Sequence, residues 1–570
     1  MGAHSGPVDP VIDVNERSNI AGAGITMAQR VMDCGDAGHI LLSKRIADDL
    51  AQYSRWQPHL HELGECEVKH GAKIDIVNLY TDELGNPATP EKLTQQHGKA
   101  GSGQTIGLKS QRKKRIAVLP FKPLSSENRD QALELGMADA LITKLSNSRQ
   151  VIVPSVNSVR RYGDLDQDPV VAGRELQVNS IVEGSVQKSG DRLRVSARLI
   201  NVADGSSLWS GTFDENFTDV FAVQDAISQK VTDALALGLS GKEQRRLTKR
   251  YTENIEAYQL YVMGRYHYAR LTPPDIRASI DFFQQAIDLD SNYALAYFGL
   301  ADAYLSLAFA ADVASQDCLP GAKVAARKAL DLDQSLAEAH ASLAFSVYCL
   351  DWDWSGAQTE AKQAVSLNPN SAAAHFAYAH VLSNIGSHNE AAWESEQAIA
   401  LEPVFPLFRA IGAMLLHHAG RNDEAWGRLQ QALKLEPNFW ITHITLAKVL
   451  IQQRKYAEAL IELEKAKELS HGNSEAVGSI GFVLALAGDK AKARSVLDGL
   501  KDLSRKRYVP PSNVALVYVG LGDQNEALVW LERACDERDV RLTILKVDPR
   551  WDSLRDNSRF VGILKRIGLQ

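Results

Sequence analysis

Long apolar runs are missing from this 570-residue chain. No stretch approaches the ~18 consecutive apolar residues that a membrane-crossing helix needs, so no membrane span is predicted. Cysteine is scarce: Cys34, Cys66, Cys318, Cys349 and Cys535 lie far apart in sequence, are odd in number and form no CxxC pair. They point to neither a disulfide frame nor a zinc site, and read as reduced thiols of a cytoplasmic protein. Excess positive charge is lacking as well. Lys and Arg total 63 against 70 Asp and Glu, a formal net charge of −7, so no global field draws the chain to nucleic acid or anionic lipid. The opening residues Met1-Gly2-Ala3-His4-Ser5-Gly6-Pro7 carry neither the basic flank nor the apolar core of a signal peptide. What is present is ordinary for a folded chain: 45% apolar and 23% charged residues,.

Internal repetition dominates the C-terminal half. A turn residue recurs at Pro369, Pro403, Pro437 and His471 in steps of 34. Ten positions after each stands a small residue (Ala379, Ala413, Ala447, Gly481), and twenty-two after each stands Ala391, Ala425, Ala459 or Ala493. The frame extends back through Gln334 with Ala344 and Ser291 with Ala301, allowing insertions, and forward to Ala515, Ala527 and Ala534. Helices whose axes nearly touch need alanine-sized side chains at the crossing. A proline at the turn ends one helix because it cannot continue the hydrogen-bond ladder. This spacing resembles the tetratricopeptide (TPR) repeat family over about eight helix pairs, from about Ile255 to about Val540. The tail from Leu545 through Leu564-Lys565-Arg566-Ile567 reads as a closing helix over the last apolar face.

Stacked pairs make a concave surface lined by the first helix of each pair, a place to hold a peptide or protein partner. Counting from the small residue, the expected groove positions are Phe345, Phe376, His380, Asn384, Met414, His417, His418, Lys448, Gln452 and Phe482. They form a mixed aromatic and polar lining suited to an interaction hot spot. His380, His417 and His418 have no accompanying carboxylate or thiol in the pattern, so no metal site is expected there.

A different text runs from Arg115 to about residue 242. Apolar β runs at Ile116–Phe121 and Val151–Val153 alternate with helical spacing at Gln131–Ser146 and Val170–Leu176. A hairpin is expected across Ser189-Gly190-Asp191, then a strand Ser207–Phe213 and a helix Asp219–Leu239. The order βαβαβββα makes a mixed α/β layer. The stretches IAVLPF, LGMADALITKL, IVEGSVQKSGDRLRVSARLINVADGSSLWSGTFD and VFAVQDAIS resemble the TolB-like (FlgO-like) domain that precedes TPR arrays in bacterial regulators. No GxGxxG or Walker loop occurs here. The basic cluster Arg112-Lys113-Lys114-Arg115 reads as a solvated linker end rather than a nucleic-acid contact.

Residues 1–85 form a third block, joined by a glycine-bearing linker over 86–114 that is expected to be mobile. GAHSGPV, ITMAQRV and the strand–turn–strand pattern of LHELGECEVKHGAKIDIVNLY resemble the C-terminal half of a class III adenylate/guanylate cyclase domain. The resemblance implies two-metal phosphoryl chemistry, with Arg30 at the place of the arginine that stabilises the transferring phosphorus. It puts Thr26 where the family has its ribose-orienting asparagine, and Ala23 where a base-reading acid would stand. The family's metal-binding aspartates lie upstream of the first of these motifs, so the remnant is expected to be inactive, with magnesium or manganese needed only by a complete cyclase domain and no cofactor otherwise.

The chain is therefore expected to be multidomain: a truncated α/β cyclase-like segment (1–85), a mixed α/β TolB-like domain (115–242) and an all-α TPR solenoid (255–570). The function expected is that of a soluble bacterial signalling or regulatory protein acting by TPR-mediated protein binding. The alternative is an adenylate or guanylate cyclase whose catalytic half lies outside this chain.

Overall fold

The computed structural model describes residues 113–123, 130–163, 167–237 and 240–570, and before these the segments 2–3, 9–12, 18–21, 31–32, 34, 39–51, 56–68, 72–81, 85–87 and 90. The chain forms two compact units, Met1–Ser110 and Gln111–Gln570.

In the first unit, strands β1 (Gly2–Ala3), β4 (Leu41–Ser43), β6 (Ala72–Leu79) and β5 (Leu60–Val68) form one sheet in the order β1-β4-β6-β5. β1 runs parallel to β4, and the other pairs are antiparallel. Strands β2 (Asp9–Ile12) and β3 (Ser18–Ala21) make a separate antiparallel pair. Successive strand residues face opposite ways, so Leu41 joins Val31, Cys34, Cys66 and Ile76 while Leu42 joins Ala47 and Val77 in a second cluster. Cys34 and Cys66, 32 residues apart in sequence, are buried with their sulfurs 2.9 Å apart. The strand–turn–strand expected over 60–80 is the β5–β6 pair. Arg30, Thr26 and Ala23 lie outside the described residues.

The second unit begins with a sheet of β7 (Lys114–Val118), β8 (Lys122–Pro123), β9 (Val151–Ile152), β10 (Ser180–Ser189), β11 (Arg192–Asn201) and β12 (Ser207–Asn216), ordered β12-β11-β10-β7-β9 with β8 against β10. β10, β11 and β12 form an antiparallel meander whose first turn contains Gly190 at φ +58°. β7 is parallel to both β10 and β9. Helices Gln131–Ser146, Pro169–Glu175 and Val220–Ala234 pack on this sheet. Element order and type follow the sequence pattern, with β8 and the short helix Val156–Val159 added.

Eight helix pairs follow, from Ile255–Tyr268 to Gln524–Asp536. The phased small residues sit at the crossings: Ala344, Ala379, Ala413, Ala447 and Ala515 are fully buried. The Gln334 repeat holds one residue more than the repeats that follow it between its two alanines, Ala344 and Ala357. The structure absorbs it as a π-helical turn, Val347–Asp351, closed by Trp352 at φ +60°, since an i→i+5 bond accommodates one extra residue.

The solenoid then returns on itself. Asp312, after the first helix of the second pair, accepts hydrogen bonds from the backbone and hydroxyl of Ser474 in the seventh and pairs with Arg507 at 3.1 Å. The tail does more than cap the last pair. Trp354 donates its indole N–H to the Ile567 carbonyl at 2.7 Å, and Lys546 reaches the Ile385 carbonyl at 3.2 Å. An apolar tail running on from the last helix has no further repeat to pack on, so it buries Leu542, Leu545, Leu554, Phe560 and Ile567 against the preceding turns of the superhelix,.

Candidate functional site

The first helices of successive pairs carry the site because their inward positions recur at offsets 4, 7 and 11 from the turn residue, one face of a helix of 3.6 residues per turn. Offset 4 brings Glu338, Ala373, Leu407 and Ile441; offset 7 brings Ala341, Phe376, Ala410 and Ile444; offset 11 brings Phe345, His380, Met414 and Lys448. All of these except Ala410 line one cavity of about 300 Å³. Its remaining walls include Phe298 and Phe309 of the second pair, Asn157 of the α/β region, and Val540, Arg541, Thr543 and Ile544 of the tail. Residues of all three regions thus border one partly enclosed chamber.

Aromatic rings run across it. Phe345 lies 6.0 Å from Phe376, and Phe376 lies 4.8 Å from Phe408 (ring centroids). The His380 ring stands edge-on to Phe376 at 4.7 Å and is tilted 5.3 Å from Phe345. His380 is 8% exposed, and burial lowers its pKa to about 4, so its imidazole is neutral. No described group hydrogen-bonds it. The chamber's cations are engaged: Lys448 meets Glu475 at 3.0 Å, and Arg541 lies 3.5 Å from the same carboxylate. Burial opposes the Glu475 charge, but Lys448, Arg541 and Arg550 together hold its pKa down to about 2.

Five of the expected groove residues, Phe345, Phe376, His380, Met414 and Lys448, thus meet in one chamber. Asn384 and His417 do not. Both are at most 2% exposed and lie outside its lining. His418, at the offset of Asn384 one repeat later, is also buried, and burial pushes its pKa well below the usual value. Electrostatically, His418 senses Asp548 and Arg550 of the tail, and Arg550 donates to Ser479 at 3.3 Å. The tail fills this stretch of the groove, which no local pattern announces. Neither ring nitrogen of His418 has a hydrogen-bond partner, and His417 uses only Nδ1, on Asn422 at 2.7 Å.

Sequence reasoning missed two devices. At offset 6, His340, His375 and His443 each bond the turn carbonyl of their own repeat through Nε2 and a glutamate of the second helix through Nδ1; His340–Glu360 and His443–Glu462 are 2.6 Å. Arg409 takes the same place, donating to the Pro403 carbonyl and to Gln431. The signal was the recurrence of His375 and His443 two repeats apart.

The second device docks the α/β region on the solenoid. Two residues of the basic cluster expected to be solvated are used here: Lys113 donates to Asn370 at 2.8 Å and Arg115 to the Leu401 carbonyl at 3.2 Å. Asn370, in the turn after Pro369, donates to the Val151 carbonyl at 2.9 Å, and Glu402 accepts from the Ser155 backbone and the Ser158 hydroxyl. Asp139 binds Arg265 at 3.2 Å and Tyr261 at 3.4 Å. Gly136 permits this approach: a Cβ there would lie 2.2 Å from Val262 Cγ1.

Residues 416–477 match the tetratricopeptide repeat family, and the C-terminal part of the chain is an all-α array of TPR-like helix pairs. Residues 111–230 match the family described as "HilA/YgeH-like transcriptional regulator, second domain". A Rhizobium meliloti (strain 1021) protein named "Putative adenylate cyclase 3" is 28% identical over 345 residues, 58% of this chain and 55% of its own length. The chain thus spans about half the length of that curated relative. Solved structures similar to the chain include a thermophilic TPR protein of Thermus thermophilus (21% identity, 34% of this chain and 99% of that one, TM-score 0.30). PilF of Pseudomonas aeruginosa is another (23% identity, 36% and 91%, TM-score 0.28). A third is the human IFIT1 dimer with m7Gppp-AAAA (19% identity, 62% and 85%, TM-score 0.37). No helix of the described residues is long and apolar enough to cross a membrane.

Proposed function

We propose that the chain is the binding portion of a bacterial regulatory protein: a TPR scaffold, with a TolB-like α/β domain docked on it, that receives an occupant in the aromatic chamber and presents the solenoid to a protein partner. One observation carries this reading. Five of the residues expected in the groove, Phe345, Phe376, His380, Met414 and Lys448, line one cavity together with Asn157 of the α/β region and Val540, Arg541, Thr543 and Ile544 of the tail, so an occupant can meet residues of all three regions. The match of residues 111–230 to a transcriptional-regulator family supports the regulatory half of the proposal. The test is affinity capture with the full chain against the Phe376→Ala, His380→Ala double variant, both checked for fold by circular dichroism. Loss of captured partners from the variant is the expected result; unchanged capture refutes the assignment of the chamber.

A second reading, cyclic-nucleotide synthesis, is favoured by the name of the Rhizobium meliloti relative and by the cyclase-like motifs of residues 1–85. Its assay is cyclic AMP formation from ATP with manganese by the purified chain, with Arg30→Ala as control. Product that disappears in the control would promote this reading; none in either sample leaves the binding reading standing.

A further inference from the structure

The chamber's chemistry is narrower than that of a generic apolar groove. His380 is more than nine-tenths buried, lies between Phe345 and Phe376, lines the cavity and spends no hydrogen bond on any described group. Its ring nitrogens are not sealed off from solvent, so a ligand's donor can reach them and gains specificity as well as affinity. The charged groups nearby are paired in charge, although Arg541 Nε and Nη2 have no hydrogen-bond partner. Lys448 and Arg541 share Glu475, and Glu338 accepts the Ser371 hydroxyl at 2.8 Å. A charge brought among these phenyl rings would be desolvated, and the cations nearby already share a carboxylate,.

Size and access favour a small molecule over a peptide. About 300 Å³ is at the lower end of ligand pockets,. The stretch of groove beyond it, where a bound strand would continue past Asn384 and His418, is filled by the tail around Asp548 and Arg550.

We propose that the chamber binds a small, uncharged aromatic molecule carrying one hydrogen-bond donor, its ring seated among Phe345, Phe376 and Phe408 and its donor on the His380 imidazole. The proposal rests on the chamber being the receiving site and adds what is received. Offset or edge-on ring contacts supply the affinity, and the neutral imidazole accepts the single N–H or O–H.

N-phenyl-1-naphthylamine and 1-anilinonaphthalene-8-sulfonate share a skeleton with one N–H and differ by a sulfonate. Fluorescence titration of the full chain should give saturable 1:1 binding of the neutral probe and at least ~10-fold weaker binding of the sulfonate. Ala373 is exposed and lines the chamber, so Ala373→Trp fills the space without disturbing the core and should reduce neutral-probe affinity at least ~10-fold. His380→Leu keeps the apolar volume, removes the acceptor and should reduce affinity about tenfold, one hydrogen bond's worth, with the thermal midpoint kept. Equal binding of the sulfonate, or neutral-probe binding indifferent to both substitutions, overturns the proposal. So does failure of the neutral probe to bind while a tyrosine-bearing peptide is displaced by Ala373→Trp, which would make the chamber a side-chain seat. Partner capture that depends on Phe376 and His380 while the probes behave alike would sink this inference alone; probe binding as expected with partner capture unchanged would sink the scaffold reading alone.

Discussion

Replacing Asp139 by alanine strands a buried cation at the junction between the α/β region and the solenoid. Asp139 and Arg265 have side chains 5% and 12% exposed, 3.2 Å apart, and Tyr261 donates to the same carboxylate. Removing one partner of a buried pair leaves an uncompensated charge and costs about 3–5 kcal/mol. What that does to the melting temperature depends on how much of the chain melts together. With an unfolding entropy of about 2.1 cal/mol/K per residue, the whole Gln111–Gln570 unit of about 460 residues would shift by about 3–5 °C,. If the α/β region of about 130 residues melted alone, the same loss would lower its transition by about 11–18 °C. The bonds from Lys113, Arg115, Asn370 and Glu402 across the junction argue for one cooperative transition and the smaller shift. Differential scanning calorimetry of the full chain reads both quantities. The apolar triple variant Asp139→Leu, Tyr261→Phe, Arg265→Met should recover most of the loss, because it leaves no charge buried. A single variant that costs less than ~1 kcal/mol, or a triple variant less stable than the single one, would refute the assignment of a buried pair.

Burial raises the Glu402 pKa, against hydrogen bonds from Ser155 and Ser158 that favour its charged form. A carboxyl raised on folding contributes stability that is complete below its unfolded value and lost as pH rises through the folded one. Glu402→Gln should therefore gain on the wild type in melting temperature from pH 5 to pH 8, and a pH-independent difference would contradict this. Trp354→Phe removes the donor to the Ile567 carbonyl and should cost about 1–2 kcal/mol, with faster proteolysis of the tail as the second readout; an unchanged digestion rate would show that the tail is held elsewhere. Mild oxidation with diamide should join Cys34 to Cys66 and remove two of the five thiols titratable in denaturant, an effect lost in Cys34→Ser.

The elements most legible in the sequence are those set by short-range repetition. A 34-residue period with alanine at two phases demands close-packed helix pairs, because only a methyl side chain lets two axes approach that near. The same phasing located Phe345, Phe376, His380, Met414 and Lys448 on one inward face, since residues 4, 7 and 11 positions past a turn share a side of a helix. The succession of elements in the α/β region and its hairpin were legible for a similar reason: apolar alternation and a Ser-Gly-Asp turn act within ten residues. Burial of Asn384, His417 and His418 was not legible, because it depends on a tail 130–160 residues further along the chain. Nor was the use of Lys113 and Arg115, whose partners Asn370 and Leu401 are 257 and 286 residues away. Periodicity says which side of a helix faces inward. What fills that side is decided only when the superhelix has turned far enough to bring its second pair against its seventh, and the charges and apolar groups there must find partners or stay in water.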